Sequence, residues 1–386
     1  MKVALLSHEG GGISSVSQGL ALALSKRKVE TTIFSTTTEH KIELKEINEY
    51  FKIVNLPVLD FPPRLVWFHL RNFKVLRKLL EDFTVVHAVS PEMGIPFTYF
   101  RSLLKKPLVT TLHSSHRGSF KAFLQVSIKN WVSKDLAYHV FELPLHDLII
   151  RRSVKFSDKV IAVSSTTVNE LKDWEKVDVS KISVINNGIN FNNIHSENSD
   201  EAKRDTNEFS IIYAGRLFQL KGIRFLLKAY EQLHKKYGNV HLKIFGKGPL
   251  ENEVKDFISK RNLRKNVHFG GFVPHNELLK EIRKSNLVVF PSFYENQPMF
   301  MLESMACKKP LISFNLPYAR EIIKHRHNGL LTKPGDVTDM INKIVLVLED
   351  RNLGRKLGEK AYEHIKENHN WDKQAEKYLQ VYNNLL

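Results

Sequence analysis

The chain has 386 residues, 42% of them hydrophobic and 26% charged, which excludes a disordered or fibrous protein and allows two domains that each bury a core. Its single cysteine, Cys307, excludes an internal disulfide and a multi-cysteine zinc site and fits a reducing compartment. Lysine and arginine outnumber aspartate and glutamate by 58 to 41, and the resulting net charge of +17 favours anionic partners.

The first residues indicate where the protein resides. A strand-like apolar run over residues 3–6 follows Met1 directly, without the basic flank, long apolar stretch and cleavage site of a signal peptide. No stretch approaches the roughly 18 apolar residues that span a bilayer. We therefore expect a cytoplasmic protein, either free or peripheral on the cytoplasmic face of a membrane.

The first half of the chain alternates short apolar strands with helical stretches. A strand over residues 2–7, a glycine loop at Gly10, Gly11 and Gly12, a helix over about 14–26 and a strand over 29–34 form one βαβ unit. Further strands are predicted at 85–89, 108–112, 159–163 and 182–185. This alternation predicts a parallel sheet with helices on both faces.

A polar stretch over residues 190–207 interrupts the alternation and marks a domain boundary. The pattern then restarts, with strands predicted at 209–213, 240–245, 267–269, 287–290 and 311–314 and with helix from residue 336 to the end. We predict an α/β protein of two Rossmann-like, doubly wound domains, residues 1–195 and 196–368, followed by a C-terminal helix over 369–386. Ligands bind beyond the carboxyl ends of strands in such folds, so two domains that face each other form a cleft.

Two loops of the second domain have features of an anion site. The first contains Arg216 and Lys221 between glycines and leads into a helix, so its two cations can clamp a diphosphate at the helix N-terminus. The second contains Gly246 and Gly248 and precedes Pro249, which suits the first turn of the next helix. The alternative is that the cations are ordinary surface charges and the glycines only serve tight turns.

The segment from residue 291 to residue 303 is the most specific. Pro298 suits the first turn of a helix that runs to about Cys307, so the amides of Met299 and Phe300 would form a seat for a diphosphate. Glu303 lies roughly 7–8 Å along the axis from Pro298. Glu295 and Glu303 are therefore predicted to hold the two ends of a sugar nucleotide, and not to form a hydrolase dyad at about 5–5.5 Å. The alternative is a loop carboxylate and a solvent-facing helical glutamate.

Taken together and in this order, these motifs resemble glycosyltransferase family 4, the large retaining family of GT-B fold. The resemblance covers nearly the whole chain. It implies an N-terminal acceptor-binding domain, a C-terminal donor-binding domain and a final helix, around Trp371, that crosses back onto the first domain.

The resemblance also implies roles for individual residues. Arg216 and Lys221 would bind the donor diphosphate, Glu295 the transferred sugar and Glu303 the nucleotide ribose. Residues implied to lie near the transferred sugar or to face the same phosphates from the first domain are His113, Gly11 and Gly12.

Three positions depart from the family pattern. Asn296 stands where glycine is usual, Ser114 follows His113 where an acidic residue is common, and Asn190 replaces the aspartate usual after residues 187–189. The last two departures concern the orientation of His113 and the lining of the hinge between the domains.

The expected reaction follows from these parts. Cleavage of the bond to the anomeric carbon leaves charge on the diphosphate, and preorganised cations and helix amides stabilise that charge. The chain has no two aspartates spaced D-x-D, so we expect no obligatory metal. The resemblance implies transfer of a hexosyl-type group from a UDP- or GDP-sugar with retention of configuration.

The acceptor domain is strongly basic. Residues 64–159 contain 16 lysines and arginines and 7 aspartates and glutamates, a local charge of +9. Basic amphipathic stretches with aromatic residues suit an anionic membrane and a glycan, lipid-linked glycan or glycolipid acceptor. The alternative for the stretch over 64–80 is a core-packing helix with a solvated basic face. The second basic and aromatic region comprises Lys121, Lys129, Trp131, Lys134, Arg151 and Arg152.

Other function classes fit less well. A dinucleotide oxidoreductase is disfavoured because residues 10–12 lack the third glycine of G-x-G-x-x-G and no acidic residue ends the second strand. A sugar-nucleotide epimerase of the same architecture remains an alternative, as does a non-enzymatic, basic nucleotide- or nucleic-acid-binding protein. We expect no nucleic-acid partner, because the basic residues form no recognised RNA- or DNA-binding module.

Overall fold

The computed structural model describes residues 1–8, 10–39, 41–58, 64–126, 143–175, 177–195 and 208–386. Its contacts divide the chain into two compact units. The first comprises Met1–Arg117, Leu143–Gly188 and Trp371–Leu386, and the second comprises Ile189–Asn370 with the described part of 118–142. Lys129, Trp131, Lys134 and residues 196–207 of the predicted boundary lie outside the described residues.

The first unit contains an eight-stranded sheet in the order β3-β4-β2-β1-β5-β6-β7-β8. Apart from the antiparallel pair β3 and β4, all neighbouring strands run parallel. The strands are β1 (Lys2–Leu6), β2 (Glu30–Thr37), β3 (Glu43–Asn48), β4 (Phe51–Pro57), β5 (Val85–Ala88), β6 (Leu108–Leu112), β7 (Lys159–Ala162) and β8 (Ile182–Val184).

The helices described before residue 189 connect these strands, as expected for parallel pairs, which need long crossovers. They are α1 (Gly11–Ser25), α2 (Arg64–Leu79), α3 (Pro91–Tyr99), α4 (Arg101–Leu104), α5 (His116–Gln125), α6 (Leu143–Phe156) and α7 (Ser165–Glu170). None of the helices in the described ranges is both long and apolar enough to cross a bilayer.

Two details of the first unit differ from the sequence prediction. The prediction missed the β3–β4 hairpin because β3 is almost entirely exposed and therefore lacks an apolar face. Helix α1 begins at Gly11 and not near residue 14, so Gly11 and Gly12 belong to its first turn. Gly10 and Gly11 have φ angles of +81° and +70°, which favour glycine, although open space surrounds both α-carbons.

The second unit contains a six-stranded parallel sheet in the order β11-β10-β9-β12-β13-β14. Its strands are β9 (Phe209–Ala214), β10 (Val240–Phe245), β11 (Val267–Gly271), β12 (Leu287–Phe290), β13 (Leu311–Phe314) and β14 (Leu330–Thr332). Side chains from both faces of this sheet are buried in two apolar clusters. The prediction of two parallel α/β units is confirmed.

The helices after residue 189 follow the strands of the second unit and then continue to the C-terminus. They are α8 (Phe191–His195), α9 (Ile223–Lys236), α10 (Glu251–Lys260), α11 (His275–Lys284), α12 (Met299–Ala306), α13 (Pro317–Ile322), α14 (Val337–Glu349), α15 (Arg351–Asn368) and α16 (Trp371–Asn383). The three helices at the end agree with the predicted helical tail.

The predicted positions of two prolines were wrong. Helix α10 begins at Glu251, two residues after Pro249. The amide of Leu250 donates to the carbonyl of Leu217 (3.0 Å), which holds Leu250 as the N-cap before the first helical residue. Pro298 is the extended N-cap of α12 (φ −73°, ψ 117°), and its carbonyl accepts from the amide of Met301 (3.1 Å). Both prolines therefore precede their helices.

The C-terminal helix α16 packs within the first unit through the indole of Trp371. A β-carbon on Gly188 would lie 2.4 Å from this ring, and one on Gly19 of α1 would lie 2.1 Å from it. Trp371 itself is only 5% exposed. Glycine at both positions therefore leaves room for the indole, so that the first residue of α16 can pack against α1 and Gly188.

We expect Gly188→Ala to weaken the docking of α16 by about 1–3 kcal/mol, because the added methyl group overpacks the indole. Amide hydrogen exchange should become faster in peptides from α1 and α16. Gly238→Ala is the matched control, because a β-carbon there meets no atom within 4 Å. Unchanged exchange in both variants would contradict this account of the packing.

Candidate active site

Two loops of the second unit, residues 215–222 after β9 and 246–250 after β10, are joined backbone to backbone. A β-carbon on Gly246, whose φ is +131°, would lie 1.9 Å from the carbonyl oxygen of Gly215. The amide of Leu217 donates to the carbonyl of Lys247 at 2.8 Å. Gly248 is equally confined, since its β-carbon would lie 2.5 Å from the carbonyl oxygen of Leu217. Close packing between the loops thus accounts for glycine at 246 and 248.

The same 215–222 loop is also joined to the loop that follows β12. A β-carbon on Gly222, whose φ is +70°, would lie 1.8 Å from the carbonyl oxygen of Pro291. The amide of Phe293 donates to the carbonyl of Leu220 at 2.7 Å, and the hydroxyl of Ser292 donates to the same carbonyl at 3.2 Å. Three loops at the carboxyl ends of adjacent strands therefore form one connected structure.

This connection brings Lys221 and Glu295 together. The Nζ of Lys221 lies 2.5 Å from Oε1 of Glu295 and 3.3 Å from the carbonyl oxygen of Tyr294. Both side chains are largely buried, at 16% and 17% exposure. A charged pair with so little solvent around it interacts more strongly than a surface pair. The sequence predicted both residues as functional but did not predict their direct contact.

Arg216 is the exposed cation of this loop. Its guanidinium lies 5.0 Å from the centre of the Phe218 ring, a cation–π distance. Within the described ranges it has no carboxylate partner. Its charge is therefore available to an anion, as the sequence predicted for a diphosphate clamp.

The N-terminus of α12 follows the Glu295 loop. The amides of Met299 and Phe300 occupy its first two positions and donate to no group in the described part of the chain. Unpaired amides at a helix start carry partial positive charge and bind anions. The structure thus places this anion-binding feature a few residues from Glu295 along the same loop.

Glu303 lies one turn further into α12 and contacts His275. It is only 6% exposed, and its Oε1 lies 2.8 Å from Nε2 of His275, the first residue of α11. The hydrogen bond with Glu303 raises the pKa of His275, against the opposing effect of its burial. The solvent-facing alternative for Glu303 is therefore excluded. His275 was not singled out from the sequence, because nothing local links residue 275 to residue 303.

His113 and the glycines at the start of α1 lie in the first unit. His113 directly follows β6, and its Nε2 lies 2.8 Å from the carbonyl oxygen of Val89. A carbonyl only accepts, so the proton resides on Nε2 and Nδ1 is the acceptor nitrogen of the neutral ring. Burial lowers the pKa of His113 to about 4, although the hydrogen bond to Val89 acts in the opposite direction. The ring is neutral at physiological pH.

The predicted residues therefore form one group in each unit. Those that share the connected loops or helix α12 of the second unit are Arg216, Lys221, Gly246, Gly248, Glu295, Met299, Phe300 and Glu303. His113, Gly11 and Gly12 occupy strand and helix ends of the first unit. Two Rossmann-like units in one chain, one of them with cations and open helix amides at its strand ends, are typical of GT-B glycosyltransferases.

Comparisons with known proteins agree with this class. The family model for glycosyltransferase family 4 matches residues 10–193, and the model for glycosyl transferases group 1 matches residues 195–364. The chain belongs to glycosyltransferase family 4 and is a glycosyltransferase. A glycosyltransferase from Methanocaldococcus jannaschii is 25% identical to it, with 99% of this chain and 98% of that protein aligned.

Solved structures show the same fold. Sucrose-phosphate synthase from Thermosynechococcus elongatus superposes with a TM-score of 0.79 at 21% identity, over 100% of this chain and 99% of the other. Anabaena HepE in complex with UDP-glucose superposes with a TM-score of 0.74 at 18% identity, over 99% and 100%. The prediction of the GT-B fold is confirmed.

We expect Glu303→Gln to lower the pKa of His275, because the substitution removes the charge that raises it. In the native protein the pKa of His275 in the folded state lies above the unfolded value of about 6.5. The contribution of the His275–Glu303 pair to stability is therefore present below about pH 6.5 and is lost as the pH rises through the folded pKa. An NMR titration of the imidazoles, with His275→Asn to assign the signal, measures the change. The same titration should show His113 neutral above about pH 5. An unchanged His275 pKa in Glu303→Gln would contradict the assigned contact.

Proposed function

We propose that this glycosyltransferase moves a hexosyl-type group from a nucleoside-diphosphate sugar to an acceptor hydroxyl with retention of anomeric configuration. The observation that carries the proposal is the largely buried pair of Lys221 and Glu295, 2.5 Å apart, in which Glu295 lies on the loop that leads into the open N-terminus of α12. This arrangement supplies a cation for a diphosphate and a carboxylate for sugar hydroxyls at neighbouring positions.

The donor would extend along this loop and helix. Arg216, Lys221 and the amides of Met299 and Phe300 would bind the diphosphate, because each offers positive charge or a free donor. Glu295 would accept hydrogen bonds from the sugar. The ribose hydroxyls would then donate to Glu303, whose orientation is already held by His275.

Catalysis in this proposal is mainly electrostatic. When the bond between the anomeric carbon and the phosphate oxygen breaks, negative charge develops on the departing diphosphate. Lys221 is held close to that position before the donor binds, so little reorganisation is needed. We propose that the departing phosphate takes up the proton of the acceptor hydroxyl, which attacks from the same face. No obligatory metal is included, since the cations and amides supply the positive charge.

His113 would act on the sugar as a neutral group. Its Nε2 proton is committed to the carbonyl of Val89, which leaves Nδ1 as an acceptor for a hydroxyl. Its low pKa, about 4, preserves this role across physiological pH. Gly11 and Gly12, at the N-terminus of α1, would face the phosphates from the first unit.

The donor is proposed to be a UDP- or GDP-sugar and the acceptor a glycan or glycolipid, including lipid-linked glycans. The HepE structure contains UDP-glucose, which supports UDP as the first nucleotide to test. The charge of +9 over residues 64–159 supports an anionic, membrane-bound acceptor at the cytoplasmic face.

A thermal-shift panel of UDP, GDP and ADP identifies the nucleotide. We expect one of the first two to raise the midpoint by several degrees, because a ligand at about 100 times its Kd adds roughly 2.7 kcal/mol of stability. The matching sugar nucleotides, with mass spectrometry of the products, then identify the sugar. Stabilisation by none of the three would contradict the proposal, and interconversion of sugar nucleotides without an acceptor would indicate an epimerase.

Two substitutions separate binding from transfer. We expect Lys221→Met to lower kcat by about 100- to 1000-fold and to weaken nucleotide binding about tenfold, because a cation is lost from the leaving group. Glu295→Gln should lower transfer by at least about 100-fold but leave nucleotide affinity nearly unchanged, because the carboxylate contacts the sugar.

Matched controls are available on exposed positions of the same unit. Lys228→Met on α9 and Glu277→Gln on α11 remove the same charges without touching the connected loops. If either control lowered transfer as much as its partner, or if Glu295→Gln retained full transfer, the proposed roles would be wrong.

A further inference from the structure

Four helices of the first unit, α2, α3, α4 and α6, pack next to one another. Helix α3 lies between α2 and α6: the ring of Phe73 on α2 lies 5.3 Å from that of Phe100, which follows α3, and the guanidinium of Arg152 on α6 lies 3.5 Å above the ring of Tyr99. The Arg152 guanidinium also donates to the carbonyl of Thr98 at 2.9 Å. We call the solvent side of α2, α3, α4 and α6 the basic apolar face.

Large apolar side chains are exposed across this face. Their exposed fractions range from 44% to 71%, and the residues are Leu70, Tyr99, Phe100, Leu103, Leu145 and Leu148. Isolated exposed leucines are common on protein surfaces, whereas a group shared by adjacent helices indicates an interaction site.

The charge of the same segments is strongly positive. Residues 64–79, 91–104 and 143–156 contain nine lysines and arginines and two acidic residues, Glu92 and Asp147, so their net charge is 9 − 2 = +7. Asp147 is itself paired with Arg117 (2.9 Å) and Arg151 (3.0 Å). Helix α2 has no acidic residue at all.

Core packing accounts for only some of the apolar residues of helix α2. Phe68 and Leu76 are buried, at 0% and 1% exposure, and pack into the core of the first unit. Leu70 is 71% exposed and shares the opposite side of the helix with Lys74 and Arg77, at spacings of four and seven residues. An outward leucine among exposed cations has no partner in the core.

We propose that the basic apolar face docks on the surface of an anionic lipid bilayer. Such a surface offers phosphates to Lys74 and Arg77 and hydrocarbon to the leucines and aromatic rings, so it satisfies both features at once. A second copy of the chain would bring two positively charged faces together, which like-charge repulsion opposes. A soluble polyanion would leave the apolar side chains exposed to water.

This docking rests on and deepens the proposed function, because it would bring the first unit to the membrane in which a lipid-linked acceptor resides. It does not require the donor chemistry to be correct. Docking and transfer can therefore be tested separately with the full-length protein.

The test is sedimentation with vesicles of phosphatidylcholine alone or mixed with phosphatidylglycerol. We expect binding to the mixed vesicles only, with weakening at high salt. Lys74→Glu should reduce partitioning at least about fivefold, since each lysine near an anionic surface contributes about that factor. Leu70→Ser combined with Leu148→Ser should reduce it by a similar or larger factor through loss of buried apolar area.

The controls change the same chemistry elsewhere. Leu44→Ser removes a leucine that is 58% exposed on β3, and Lys235→Glu changes the net charge equally on α9 of the second unit. Neither should alter binding. Partitioning of the Lys74 and Leu70/Leu148 variants equal to that of the native protein would overturn the proposal. So would a concentration-dependent dimer abolished by Leu70→Ser, or binding to heparin but not to vesicles.

A UDP and GDP thermal shift on the same samples separates the two proposals. A retained nucleotide shift in the Leu70/Leu148 variant also shows that the protein remains folded. Vesicle binding without any nucleotide shift would support membrane docking and contradict the proposed donor chemistry. A nucleotide shift without vesicle binding would contradict only the docking proposal.

Discussion

The close approach of the Gly246 backbone to the Gly215 carbonyl is the contact on which the proposed donor site depends. No side chain larger than hydrogen fits between these two loops, and the same is true where Gly222 meets Pro291. Beside the Gly222–Pro291 contact, the amide of Phe293 donates to the carbonyl of Leu220, which fixes the loop that carries Lys221 relative to the one that carries Glu295. Fixed dipoles and charges are what electrostatic catalysis requires, because they need no reorganisation during the reaction.

A second buried contact performs a comparable task in the first unit. Both ring nitrogens of His87 are satisfied, one by the hydroxyl of Tyr382 and one by that of Thr111, each at 2.7 Å. Burial lowers the pKa of His87 to about 3, so the ring stays neutral. Because Thr111 lies on β6 two residues before His113, helix α16 helps to hold the strand that ends at this histidine. The end of helix α16 is thus part of the core that supports His113.

Local sequence patterns predicted the parts of this protein that depend on local rules. Apolar periodicity located the parallel strands, and glycines between a strand and a helix located the loops around Lys221 and Gly246. Periodicity did not reveal β3, whose side chains are almost all in solvent, and it did not reveal the partner of Glu303, since His275 is 28 residues away along the chain. The reason for glycine at 246 was also hidden, because a residue that binds phosphate and a residue that packs on another backbone have the same sequence signature.

Helix α2 illustrates why one amphipathic pattern supported two interpretations. The buried side of α2, with Phe68 and Leu76, packs into the core. This packing does not determine what the opposite, exposed side of the helix contacts. The outward position of Leu70 becomes apparent only when the core-facing direction is known from the fold. The proposed donor site is built from buried and backbone-defined contacts, whereas the basic apolar face is built from exposed side chains on the outer surface of helices. Substitutions on that face are therefore expected to have little effect on the core, so the proposed docking surface can change while the proposed donor site remains intact.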